Sequence, residues 1–174
     1  WDAILYVTKS ARPALALALK NYGLNLNRLN DLKKQLGTIS EIEAEVYIHH
    51  ELGELQDTDF NPETWREIIA AYPHSAIELF ARAVKDLLAD TNAHGSFQYI
   101  LKERRISSLA FYVAFMEGLP KKLFSAMVDA FEEFLKSGNW SAIEAAVAES
   151  VRRRWLVKKA MDITGAKWDV EPRF

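Results

Sequence analysis

S-E-I-E-A-E-V-Y-I-H-H-E-L-G-E-L-Q-D-T-D, residues Ser40 to Asp59, is the stretch around which the rest of the chain is organised. It carries Glu41, Glu43, Glu45, Glu51, Glu54, Asp57 and Asp59, with His49 and His50 among them. Between Gln35 and Trp65 there is no lysine or arginine, against eight carboxylates: these seven and Glu63. Ile42, Ala44, Val46, Tyr47, Ile48, Leu52 and Leu55 are interleaved and fall on every side of a helix. A helix that is apolar all round is normally covered by protein on most faces. The expectation is a central helix enclosed by its neighbours, with some of its acids drawn inside. A lone buried carboxylate is costly and must be neutralised, paired or bound to a metal. This stretch is therefore where chemistry is expected.

Working outward, the pattern is helical nearly throughout. Ser40 with Glu43 reads as a capping box opening the central helix. Before it, Trp1–Ser10 forms a short helix, Pro13 sits in the first turn of a second that Gly23 ends, and a third closes at Gly37. After a loop at Asp57–Phe60, Pro62 starts a helix that Pro73 breaks, and a long helix follows from His74 to Asn92. Short helices are expected at Phe97–Arg104 and from Ser107 or Ser108 to Glu117. Pro120 opens a helix to Lys136, and the capping box Ser141 and Glu144 opens the last, to Asp162. No strand is expected. The fold class is all-α: a single-domain multi-helix bundle of about eight or nine helices over residues 1–174, with short loops between antiparallel neighbours. The chain starts at Trp1 rather than Met, as the C-terminal part of a longer protein would.

Composition narrows the function. The 174 residues have a net charge of -2, so no global basic field points to nucleic acid. No apolar run approaches the roughly 18 residues of a membrane span. The run Arg152-Arg153-Arg154 with Lys158 and Lys159 is broken by Trp155 and Leu156 and reads as a solvated face. Cysteine is absent, which removes disulfides and thiolate ligands and accords with a cytoplasmic protein.

Two constellations remain. On the central helix His50 and Glu54 are four apart and share a face, with Asp57 one turn on. Glu45 and His49 make a second such pair on another side. A histidine and a carboxylate at this kind of spacing can reach one metal ion, as Glu-x-x-His pairs do in di-iron bundles. Gly53 is costly mid-helix and is expected to admit a neighbouring helix beside His50 and Glu54. On the long helix Glu78, Arg82 and Asp86 form an i, i+4 ladder, with Lys85, Asp90 and His94 nearby. The bland reading is a solvated salt-bridged face. The sharper one turns this stripe toward the acidic helix, where Arg82 neutralises Glu51 or Glu54. Asp90 and His94, four apart, could add ligands, but a histidine just before Gly95 more often meets the helix dipole.

His50-Glu51-Leu52-Gly53-Glu54 followed by Arg82-Ala83-Val84-Lys85-Asp86-Leu87-Leu88-Ala89-Asp90 resembles an uncharacterised bacterial all-helical family with the pattern H-E-x-G-E and then R-A-V-x-D-x-L-A-D. The resemblance implies that His50, Glu51, Glu54, Arg82, Asp86 and Asp90 form one group. It implies no substrate, and His49 and His94 lie outside its pattern. Two functions follow as expectations. In the first, His50, Glu54, Asp86 and Asp90 ligate a divalent metal (Fe, Mn or Zn, given nitrogen and oxygen ligands), and Glu51 and Arg82 act in catalysis on an unknown small molecule. In the second, the same residues are a structural salt-bridge network in a non-enzymatic helical module with a protein partner.

Overall fold

The structure, a computed structural model, describes residues 12–24, 29–57 and 62–150. The expected helix at 1–10, the loop residues 58–61 and the end of the last helix with the tail after it lie outside the described residues. Among the described residues there is helix and no strand. The helices are α1 (Arg12–Asn21), α2 (Leu29–Gln56), α3 (Pro62–Ala71), α4 (Ala76–Thr91), α5 (Ser96–Lys102), α6 (Ile106–Phe115), α7 (Gly118–Leu123) and α8 (Ser125–Ser137). Helix α9 begins at 141 and continues to 150, the last described residue.

The core is built from residues at helical spacing on α1, α5, α6, α8 and α9. Leu15 and Leu19 of α1 share it with Leu109 and Ala110 of α6, and Phe97, Ile100, Met127 and Ile143 are almost fully buried. Aromatic edges fix its centre: Phe97 meets Tyr112 at 4.5 Å and Phe124 at 5.5 Å between ring centroids. Against this body α2 packs on α4 and α5.

Three expectations give way. The first is the break at Gly37 and Ser40, because α2 runs unbroken for 28 residues. Leu36, Ile39, Glu43, Val46 and His50 follow one another at three- and four-residue steps and all line one cavity. Continuing the helix keeps that stripe in line, which outweighs the roughly 1 kcal/mol cost of a mid-helix glycine. Glu43 does not cap. Its carboxylate accepts a hydrogen bond from Tyr22 and an ion pair from Arg105.

The second is the enclosure of the central helix. Only its inner face is covered. Ile48 is 49% exposed and Leu55 82%, so the outward face of α2 carries apolar side chains among its acids, and Tyr47, 73% exposed, lies at the edge of the inner face. The third is the single helix from Pro120. Phe124 is pulled into the core, 2% exposed, with φ -118° and ψ 40°, and splits it into α7 and α8.

Helix α4 starts at Ala76, two residues later than the expected His74. Ser75 is its N-cap, and its Oγ accepts the Glu78 N–H at 3.2 Å. Glu78 reaches back to accept the His74 N–H at 2.6 Å, which ties down a residue with φ 56°.

Candidate functional site

The site exists because two glycines let backbones touch. A Cβ on Gly53 would lie 2.1 Å from the Ala89 carbonyl oxygen and 3.1 Å from the Gly95 Cα. A Cβ on Gly95 would lie 2.0 Å from that same oxygen. Helix α2 therefore rests directly on the end of α4 and the turn into α5. Asn92 locks the contact, donating from Nδ2 to the Gly53 carbonyl at 2.7 Å.

This approach sets His50 against Asp90, with Nδ1 to Oδ1 at 2.9 Å. Asp90 is only 8% exposed and is surrounded by donors. Ser96 Oγ donates to Oδ1 and the Tyr112 hydroxyl to Oδ2, both at 2.8 Å. An ionised carboxylate only accepts, so the proton on this edge of the imidazole belongs to Nδ1. In the neutral ring Nε2 is then left with its lone pair. That nitrogen faces Glu54, 3.5 Å from Oε1.

Glu54 is also ion-paired with Lys85, whose ammonium lies 5.8 Å from the centroid of the Trp65 ring. Asp86, one turn before Asp90 on α4, completes the cluster. His50, Glu54 and Asp86 each offer one ligand atom, all within 4.8 Å of one another.

The electrostatics follow from these contacts. The hydrogen bond to Asp90 raises the His50 pKa, burial opposes it, and the charges of Asp90, Glu54 and Asp86 add to the rise. Partial desolvation lifts the Asp86 carboxyl, while His50 and Lys85 pull it back. Burial, and then Asp90, push the Tyr112 phenol well above its ordinary value, so it stays a donor.

A pH dependence follows for metal-free protein. The folded pKa of His50 lies above the unfolded 6.5, so the stability this pair adds is complete below about pH 6.5. It is lost as pH rises through the folded pKa. With EDTA present, the denaturant midpoint of the wild type should fall over that window relative to His50→Gln. Parallel profiles for the two proteins would contradict the His50–Asp90 pairing.

The sequence-derived candidates divide. His50, Glu54 and Asp86 come together as a possible ligand set. Asp90 joins them from the other side of the imidazole, holding Nδ1 rather than standing among the three. Arg82 does not neutralise Glu51 or Glu54. It donates to Glu78 through Nε at 2.9 Å and Nη2 at 2.7 Å and lies over Trp65 at 5.1 Å. Arg82 sits one turn before Asp86 on the ladder, and from there its guanidinium reaches back toward the start of α4. Glu51 is exposed, on the side of α2 turned from the cluster's partners. His49 stacks on Tyr99 at 4.5 Å with its Nδ1 3.2 Å from the His94 carbonyl, so neither histidine enters the group.

Arg82 is half exposed, but its partner Glu78 is only 11% exposed and keeps just the His74 N–H when the guanidinium is removed, so Arg82→Ala should lower the denaturation midpoint clearly. An unchanged midpoint would mean that the pair behaves as a solvated surface contact.

Sequence reasoning missed Tyr112 and Ser96 and weighted Arg82 over Lys85. Tyr112 lies 22 residues from Asp90 with no local pattern linking them. Lys85, in contrast, was readable as the cation adjoining Asp86.

Beside the cluster is a cavity of about 600 Å³ lined by residues of α1, α2, α4, α5 and α6 and of the turn into α7. His50, Asp86, Asp90 and Tyr112 form its polar wall. Comparison with curated proteins and with solved structures finds no match. A family model described as the C-terminal domain of a family of unknown function, DUF6866, matches residues 1–169. Covering nearly the whole sequence, this match means that the chain belongs to the DUF6866 C-terminal domain family.

Proposed function

We propose that the protein binds one divalent cation, Fe, Mn or Zn, through His50, Glu54 and Asp86, and uses it for oxidative or hydrolytic chemistry on a small molecule in the adjoining cavity. The observation that carries this reading is the convergence of one nitrogen and two oxygen donors from two helices, within 4.8 Å of one another. Its support is the position of Asp90. A ligating histidine commonly gives its second N–H to a carboxylate, which fixes the tautomer and makes the free nitrogen more basic.

Lys85 is compatible with this. Its side chain is 24% exposed and flexible, so a cation arriving at Glu54 can displace the ammonium toward solvent or the Trp65 ring. In this reading Glu51 and Arg82 take no part in the chemistry.

Thermal unfolding with and without Fe(II), Mn(II) and Zn(II) tests it. A ligand that binds only the native state raises the melting temperature. Wild type should show the rise, Glu54→Gln should lose it and His49→Ala should keep it. No rise in wild type with any of the three metals would overturn the proposal.

Two observations favour the second reading, a non-enzymatic helical module. Lys85 already answers Glu54 without a metal, and the outer face of α2 exposes Ile48 and Leu55. The same experiment decides, since this reading expects no metal response.

A further inference from the structure

The cavity beside the cluster is apolar over most of its surface. Leu19, Ile39, Val46, Leu87, Phe111 and Met116 form its walls, and its size of about 600 Å³ lies within the range of small-molecule sites. Two of its aromatic residues, Tyr47 and Phe115, remain 73% and 48% exposed, which marks where the cavity opens.

Most of its polar groups fall into two places, with Ser40 and Glu117 apart from both. At one, Glu43 is held by Tyr22 and Arg105, and Ser108 accepts from Arg105 Nε at 3.1 Å, so both are engaged by the protein. At the other stand His50, Asp86, Asp90 and Tyr112. Asp90 is filled by three donors and Tyr112 is spent on it. In this wall the Asp86 carboxylate and His50 Nε2, which otherwise meets only Glu54 at 3.5 Å, are the groups that a ligand can reach. Seven residues of helix, about 10 Å, separate Glu43 from His50. The wall between them is apolar.

We propose that this cavity takes a small amphiphile: an unbranched or ring-bearing apolar body lying along α2, with a carboxylate head at His50 and Asp86. The head group rests on the metal reading above. Asp86 and Asp90 in the wall leave it negative without a metal, the Glu54–Lys85 pair beside it adding no net charge, and a negative wall repels an anion. A divalent cation on three protein ligands offsets that charge. It also keeps coordination positions open for an oxygen donor. The body does not depend on the metal, since the apolar walls are there without it.

The test is calorimetric titration of butanoate, hexanoate and octanoate into the full chain, once with saturating Mn(II) or Zn(II) and once with EDTA, with octylamine as the cationic counterpart. Metal occupancy is measured separately by the metal's own effect on melting. The expected result is metal-dependent carboxylate binding that tightens about fourfold for each methylene taken out of water. Ala83→Phe, which fills the cavity, should weaken octanoate far more than it weakens metal binding.

If metal binds but no carboxylate does, or affinity ignores chain length, the amphiphile proposal is overturned and the metal reading stands. If no metal binds and octylamine alone is taken up, the carboxylate head is overturned together with the metal reading. Should Ala83→Phe fail to fold, the chain-length series on wild type still decides.

Discussion

Gly53→Ala is expected to destabilise the protein by about 3 kcal/mol or more, at the upper end of what overpacking costs. The new methyl would sit 2.1 Å from the Ala89 carbonyl oxygen, a backbone atom that no rotamer change can move. Relief requires α2 to back away from α4, which stretches the Asn92 bond to the Gly53 carbonyl and the His50–Asp90 contact together. Helix preference alone predicts the opposite sign, since alanine is favoured over glycine mid-helix by about 1 kcal/mol. Gly37 supplies the internal control. It lies in the same helix, and a Cβ there would meet nothing within 4 Å. Gly37→Ala should therefore stabilise by up to about 1 kcal/mol. Urea midpoints for the two variants, moving in opposite directions, are the check. A neutral or stabilising Gly53→Ala would mean that the two helices do not touch there.

Asp90→Ala carries the second large effect. The carboxylate is 8% exposed and receives His50, Ser96 and Tyr112. Its removal strands three donors in a packed interior and leaves His50 without its counter-charge. Breaking a buried pair in this way costs about 3–5 kcal/mol. Asp90→Asn keeps the shape and one acceptor oxygen, so its loss should be smaller. If His50 is a ligand, both variants should also weaken metal binding by about 10–100-fold, because the imidazole is no longer held in its tautomer. The two readouts separate the roles. A structural network loses stability alone, whereas an oriented ligand loses metal affinity even in the better-folded asparagine variant. A melting scan on Asp90→Asn with and without Zn(II) gives both.

What was legible in the sequence was mostly local. Capping residues, glycines and prolines placed most helix ends, and the absence of any two-residue alternation left no room for strands. The meeting of His50 and Glu54 with Asp86 was also foreshadowed. Unpaired acids on one helix need groups from another, and Gly53 marked where a second helix comes close. The failures were contests between local preference and packing. Gly37 and Ser40 look like an end and a start, yet a continuous apolar stripe through Ile39 and Val46 overrides both. Phe124 carries no breaking signal, but the core draws it in and divides a helix. Arg82 and Lys85 are three residues apart on α4, and which one reaches Glu54 depends on the rotation of that helix about its axis, which no local pattern encodes. Tyr112 enters through a long-range fold contact that no spacing encodes. The exposed apolar side chains on α2 defeated the rule that an apolar helix is enclosed, because that rule does not say what covers it.

The most direct measurement of the central claim is metal stoichiometry after equilibrium dialysis. Wild type and Asp86→Asn would be dialysed separately against Fe(II), Mn(II) and Zn(II), then analysed for protein-bound metal. With a single three-residue donor group among the described residues, wild type should retain about one ion per chain of at least one metal. Asp86→Asn, which keeps the side chain's size and removes its charge, should retain much less. No metal on wild type above the buffer level, or equal loading of the two proteins, would contradict a cation site at His50, Glu54 and Asp86.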